Sequence, residues 1–235
     1  MTRIVNNCVA LVCLCLFWGQ SLRAADASHS EQIKWGNESV FNEEHNTLGL
    51  FSGVLGGQIV LAGGTSDDYS RWGRNAVCLS ENAGFALYED VLSKPLAYGA
   101  SITLSDGILC IGGRDSSQCY KDVFLVTMQQ GKLNVSEDWP PLPFPLSNAA
   151  GALLDNKVYL FGGRKSVSPS RLSDSFFVLD LSNKSRGWKE LPGYPGCVRE
   201  DAILVVQNNG VSPCLYLLGG QTETEGGCFF WFLVV

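Results

Sequence analysis

A short apolar run that ends in two glycines recurs along the chain, and this repeat constrains the fold more than any other feature. The four copies read QIVLAGG, GILCIGG, KVYLFGG and CLYLLGG. Their second glycines stand at positions 64, 113, 163 and 220, so successive copies are 49, 50 and 57 residues apart. A period near 50 residues predicts that each unit is one blade of a propeller or one turn of a solenoid.

The third unit, from Ser147 to about Pro192, shows the internal pattern best. An apolar run at 149–154, the run KVYLFGG and the segment SFFVLDL at 175–181 are separated by turn-forming or polar residues. WKELP then adds a short fourth segment that begins at Trp188. Runs of this kind predict strands, and four short strands in each repeat predict a blade of an all-β propeller.

The other units follow the same order. In the first unit the predicted fourth strand is Phe85–Tyr88, and in the second it is DWPPLP, which contains Trp139. The fourth unit is legible only as far as Gly220. We therefore expect propeller blades over 47–220, preceded by an N-terminal segment at 26–46 and followed by an atypical apolar tail at 221–235.

The first 25 residues are predicted to be a secretory signal peptide. Arg3 is followed by an apolar stretch at 8–18, and the small residues Ala24 and Ala25 suit cleavage. The alternative is a transmembrane helix, but 11 apolar residues are fewer than the roughly 20 that a bilayer requires. We expect an exported protein, periplasmic or secreted, with no membrane span after cleavage.

The residue types exclude several classes of chemistry. The chain has two histidines, His29 and His45, which cannot supply a Ser-His-Asp triad or a clustered copper site inside the blades. No CxxC pair suggests zinc, no phosphate-binding motif is present, and a net charge of −6 offers no basic face to nucleic acid. We expect neither metal nor cofactor. The six cysteines after the signal permit three disulfides, although Cys110 and Cys214 fit buried thiols.

Strand parity indicates which face carries the function. If the strands of a blade are lettered a to d from the axis outward, the d–a and b–c connections emerge on one face. The b–c loops are long, and long loops on a rigid scaffold commonly carry binding residues. The candidate residues on this face come from b–c loops (Arg71, Arg74, Arg114, Asp115, Arg164, Arg171) and from d–a connections (Tyr98, Ser101, Ser147, Asn148, Arg199, Glu200, Asp201).

Two features of these candidates point to a functional role, and the first suits a carboxylate-bearing ligand. Arginine directly follows Gly-Gly in two units, and guanidinium groups bind carboxylates in bidentate fashion. Alternatively, these arginines tie neighbouring blades together. VREDA, at 198–202, places three charges at the start of an innermost strand, where they are costly unless paired or used. The alternative for this motif is an Arg–Glu surface pair.

The repeat of hydrophobic runs, Gly-Gly and a later tryptophan resembles the Kelch repeat. PLAYGAS at 95–101, ILCIGG and the repeated W..LP are similar to the cyclically permuted bacterial Kelch proteins known as sialic acid mutarotases or N-acetylneuraminate epimerases. The resemblance implies six blades and the interconversion of sugar-acid anomers by acid–base ring opening. We expect Glu200 or Asp201 to act as base or acid, and Arg199 with Arg164 or Arg114 to hold the sugar carboxylate. A non-catalytic propeller that binds a glycan or a protein is the alternative.

The chain departs from this family in length. About four blades fit into residues 26–235, and the final run CFFWFLVV is unlike the rest of the sequence. We therefore expect a truncated or frame-disrupted chain that forms an incomplete or open propeller.

Overall fold

The computed structural model describes residues 48–80, 84–193, 198–222 and 231–234. The predicted signal peptide and the segment 26–46 lie outside the described residues. The described strands form three four-stranded sheets, one further sheet with three strands and a two-stranded hairpin. All pairings are antiparallel, and within each large sheet the strands lie in chain order. The prediction of an all-β, Kelch-type propeller with about four blades, incomplete or open, is confirmed.

The first two blades have four strands each. In the first blade the strands are Phe51–Leu55 (β1), Gln58–Ala62 (β2), Ala76–Ser80 (β3) and Gly84–Tyr88 (β4). In the second blade they are Ala100–Thr103 (β5), Ile108–Ile111 (β6), Val123–Gln129 (β7) and Lys132–Ser136 (β8).

The third and fourth blades complete the described fold. The third contains Ala150–Leu154 (β9), Lys157–Phe161 (β10), Arg164–Ser166 (β11), Arg171–Leu172 (β12), Phe176–Asp180 (β13), a 3₁₀ helix at Leu181–Arg186 and Lys189–Glu190 (β14). The fourth contains Glu200–Asn208 (β15), Pro213–Gln221 (β16) and Trp231–Val234 (β17). Strand β17 pairs with β16, so part of the expected apolar tail extends the fourth sheet.

The fourth strand of the second blade was wrongly placed at DWPPLP. The structure has it at Lys132–Ser136, directly after a tight turn at Gln130 and Gly131, both of which have positive φ. A turn with two positive φ values matches the twist of a hairpin. Pro140 and Pro141 lack the N–H groups that a strand ladder needs. Trp139 instead packs on the core between the second and third blades.

The core consists of three apolar clusters, each between two neighbouring blades. Alternate residues of one strand point to different clusters: Ile108 and Cys110 face the first blade, whereas Leu109 and Ile111 face the third. This arrangement explains why the second strands of the second and third blades are apolar almost throughout, since both of their faces are covered. The cysteines at 78, 110, 119 and 214 are free and buried, so the thiol interpretation holds for Cys110 and Cys214.

The Gly-Gly pairs form the joints between blades. The N–H of Gly163 donates to the carbonyl of Arg199 in the next blade at 2.8 Å. A Cβ on Gly162 would lie 2.5 Å from that same carbonyl oxygen. The equivalent contact between Gly112 and Leu146 is closer still, at 2.2 Å. The glycines therefore let adjacent blades approach closely, in addition to letting the chain turn into the b–c loop.

Candidate functional site

A chain of backbone hydrogen bonds links the starts of the innermost strands. The N–H of Tyr98 donates to the carbonyl of Gly49, that of Asn148 to Tyr98, and that of Asp201 to Asn148, at 2.7, 2.7 and 3.0 Å. All four residues have left-handed backbones, with φ between 53° and 64°. We call these four residues the inner ring. Non-glycine residues rarely adopt this conformation. Tyr98, Asn148 and Asp201 adopt it at equivalent positions of successive blades, which brings their side chains together.

Arg164 and Glu200 form a bidentate ion pair beside the ring. Arg164 donates through Nε to Glu200 Oε2 at 2.8 Å and through Nη2 to Oε1. The side chains are 27% and 9% exposed. The hydrogen bond to Glu200 raises the pKa of Arg164, so this guanidinium remains charged. Both oxygens of Glu200 are therefore occupied by its neighbour.

Asp201 is oriented by Asn148. The Nδ2 of Asn148 donates to Asp201 Oδ1 at 2.8 Å. Asp201 is exposed, and in the described part of the chain its second carboxylate oxygen accepts no hydrogen bond. The Oδ1 of Asn148 is buried without a described partner. Asp201 is thus the accessible carboxylate of the group, held in one orientation.

Tyr98 belongs to the inner ring and also contacts Arg114. The guanidinium carbon of Arg114 lies 4.6 Å from the centre of the Tyr98 ring. Burial, together with the hydrogen bond from Tyr98 to Tyr69, raises the pKa of Tyr98, and the charge of Asp201 acts in the same direction. Tyr98 is therefore a neutral phenol at physiological pH. We call Tyr98, Asn148, Asp201, Arg114, Arg164 and Glu200 the candidate site.

The other predicted residues lie in different environments. Ser147 is buried, and its Oγ lies 3.4 Å from the Sγ of Cys119. Arg171 is exposed in the β11–β12 hairpin. Arg199 is only 1% exposed, and its Nη1 donates to the carbonyl of Gly219 at 2.9 Å. It occupies the position held by Leu96 and Leu146 in the preceding blades, so it lies in the interior rather than on the open face.

Two aromatic residues near the site were missed by the sequence analysis. Tyr69 and Trp72 come from the b–c loop of the first blade, and their rings face Arg114 at 5.9 and 5.1 Å. Only Arg71 and Arg74 of that loop were predicted as candidates. The sequence DDYSRWGR does carry a usable signal, because two large aromatic residues stand in a polar loop on the functional face.

Other features of the described residues lie apart from this group. A groove at the opposite ends of the strands is lined by Asp106, Trp139, Leu153 and Lys184 among others, and it shares no residue with the candidate site. Within the described ranges, no three His, Cys, Asp or Glu side chains gather as a metal site would require. The same residues include no helix with the length and apolar character needed to span a bilayer.

The fold defines a Kelch-type β-propeller chain, and comparisons with known proteins agree. The family model for the Kelch motif matches residues 145–192, the third blade. The solved structure of YjhT has a TM-score of 0.60 and 13% sequence identity, over 76% of this chain and 63% of that chain. That likeness supports the fold alone.

The sequence is also similar to N-acetylneuraminate epimerases, which confirms the expected resemblance. The epimerase of Vibrio cholerae serotype O1 is 31% identical over 106 residues, which is 45% of this chain and 25% of the relative. That of Yersinia pestis (strain Pestoides F) is 32% identical over 90 residues, 38% and 20% of the two chains. The matched stretches thus span a quarter or less of these curated relatives.

Proposed function

We propose that the chain interconverts the anomers of a sialic acid such as N-acetylneuraminate, with Asp201 as the acid–base residue and Arg114 as the carboxylate receptor. The observation that carries the proposal is an accessible, oriented carboxylate and a cation without an ion-pair partner among the described residues, both of which interact electrostatically with Tyr98. The similarity to N-acetylneuraminate epimerases supplies the class of substrate.

The reaction requires only proton transfer. A base removes the proton of the anomeric hydroxyl while an acid protonates the ring oxygen, so the ring C–O bond breaks and a ketone forms. Rotation about the adjacent bond and reclosure then give the other anomer. Asp201 accepts the hydroxyl proton through its free oxygen, and the neutral phenol of Tyr98 is a donor on the same inner ring. General acid–base catalysis of this kind typically contributes about 10²–10⁴ in rate.

The two post-glycine arginines take different roles in this proposal. The carboxylate of N-acetylneuraminate is attached to its anomeric carbon, so a cation that holds this group also fixes the reacting centre. Arg114 is suited to that role because no described acid neutralises it. Arg164 keeps Glu200 bound, and the pair supports the start of β15, from which Asp201 projects.

Anomer exchange measured by NMR tests the proposal. Purified chain is added to N-acetylneuraminate, and the exchange rate between the two anomers is determined by saturation transfer. Asp201→Asn should reduce the added rate by about 100-fold or more. Asp106→Asn, which changes an exposed aspartate at the other ends of the strands, should leave it unchanged.

Each possible result is informative. Loss of exchange in the Asp201 variant alone supports the assignment, whereas equal rates in both variants would remove Asp201 from the mechanism. Saturable binding of the sugar by the wild-type chain, without faster exchange, would instead indicate a glycan-binding propeller.

Export is part of the same proposal. Its support is the predicted signal at residues 1–25, with a charged start, a short apolar stretch and small residues at the cleavage point. In bacterial cells we expect the chain in the periplasmic or secreted fraction with these residues removed. Full-length chain confined to the cytoplasm would contradict this expectation.

A further inference from the structure

The guanidinium of Arg114 is surrounded by aromatic rings from two blades. Its central carbon lies 4.6 Å from the ring centre of Tyr98, 5.1 Å from that of Trp72 and 5.9 Å from that of Tyr69. The Tyr69 and Tyr98 rings stack at 6.5 Å with an interplanar angle of 21°, and Trp72 meets Tyr98 edge-on at 6.3 Å. We call these three side chains the aromatic box.

The loop of the first blade that carries Tyr69 and Trp72 is internally braced. The indole Nε1 of Trp72 donates to the carbonyl of Tyr69 at 3.1 Å. Asp68 accepts hydrogen bonds from the hydroxyls of Ser66 and Ser70 at 2.5 and 2.8 Å. Trp72 also forms a backbone bridge with Thr65 at the base of the loop. Both aromatic residues are therefore held against Arg114 by contacts that need no ligand.

Arg114 and Arg164 are held in place by different kinds of partner. Arg164 is fixed by a carboxylate, which uses its N–H groups and neutralises its charge. Aromatic faces attract a guanidinium through their quadrupole but leave its in-plane N–H groups available. In the described part of the chain, no carboxylate lies within ion-pair distance of Arg114. Arg114 is thus held in place and still charged, which is what a carboxylate receptor requires.

We propose that Tyr69 and Trp72 are positioning residues, which hold the guanidinium of Arg114 in the orientation that binds the ligand's carboxylate. The identity of the ligand rests on the proposed function, but the positioning role does not depend on catalysis. The box acts on one group of the ligand, so it governs the preference for a charged acid over an uncharged analogue.

Calorimetric titration with N-acetylneuraminate and with its methyl ester tests this role, because the ester lacks the anionic carboxylate. The wild-type chain should bind the acid about tenfold more tightly than the ester. Trp72→Ala should weaken binding of the acid by about tenfold and that of the ester by less than about twofold. Trp72→Phe keeps a ring in place and should stay within about threefold of wild type for both ligands. Tyr69→Ala removes a different ring of the aromatic box, and it should also weaken binding of the acid more than binding of the ester.

The outcomes separate this inference from the proposed reaction. A wild-type chain that prefers the acid and loses that preference in Trp72→Ala supports the box, even if the chain does not accelerate anomer exchange. If the wild-type chain does not discriminate, or if Trp72→Ala retains full discrimination, the inference fails. Equal weakening of acid and ester in Trp72→Ala also overturns it, since that result indicates general packing. If the chain catalyses exchange, Trp72→Ala should raise KM, and Trp72→Phe should stay close to wild type.

Discussion

Arg114 and Arg164 occupy equivalent places in neighbouring blades, yet they have different partners. The reason lies one blade further along the chain. Glu200 follows the joint residue Arg199 and reaches back to Arg164, whereas the equivalent residue beyond Arg114 is Ser147, after Leu146. Substitution of a carboxylate by a hydroxyl at one repeat position therefore leaves Arg114 without an acidic partner among the described residues. This difference is the basis for the separate roles that we propose for the two arginines.

The Arg164–Glu200 pair should stabilise the protein more than an exposed ion pair does. Glu200→Gln leaves a largely buried guanidinium without its counter-charge, and we expect a loss of about 2 kcal/mol in the free energy of unfolding. Asp90→Asn breaks the pair with Arg74, whose side chains are 41% and 66% exposed, and should cost less than about 1 kcal/mol. Urea unfolding of both variants checks this prediction. Equal losses would mean that burial does not strengthen the Arg164–Glu200 pair.

The joints between blades are the elements that the Gly-Gly repeat specifies. At each joint a carbonyl oxygen of the next blade lies so close to the first glycine that a Cβ on this glycine would clash with it. Leu96, Leu146 and Arg199 supply these carbonyls, and their side chains are buried beside the joint. The repeat is therefore a requirement of blade packing, and the charged residues of the candidate site are placed by these joints.

Alanine at a joint should cost more than alanine at a simple turn. Gly57→Ala adds a Cβ to a residue with φ of 78° and open space around it, so only backbone strain of roughly 1 kcal/mol is expected. Gly162→Ala has a similar φ, 66°, and adds a clash with the Arg199 carbonyl, which should raise the loss to about 3 kcal/mol or more. Thermal and urea unfolding give both values. A Gly162 variant as stable as the Gly57 variant would show that the joint can open without cost.

The sequence predicted these elements where local chemistry is decisive. Runs that end in Gly-Gly were located correctly, because their apolar character is nearly continuous, and in the second and third blades both faces of the strand are buried. The strand Lys132–Ser136 was missed since only alternate residues face the core, and Trp139 drew the prediction to the wrong segment. The aromatic box could not be predicted by periodicity. It depends on contacts between different blades, and the repeat pattern marks neither Tyr69 nor Trp72.

On the scale of the whole molecule, the described blades lie side by side and leave their outermost faces uncovered. Val54 and Ile59 of the first blade are exposed, as are Ile203 and Val205 of the fourth. The equivalent faces of the inner blades are buried in the three clusters. These exposed apolar faces agree with an incomplete or open propeller. The six residues of the candidate site lie in the b–c loops of the second and third blades and at the starts of the innermost strands, and each of them is among the described residues.

The rate of N-acetylneuraminate anomer exchange, measured by NMR at increasing concentrations of the wild-type chain, tests the central claim most directly. If the inner ring, Arg114 and Asp201 form a working site, the exchange rate should rise in proportion to the concentration of the chain. A rate equal to that of the sugar in buffer at every concentration, with the chain folded, would contradict the claim that this chain is a sialic acid mutarotase.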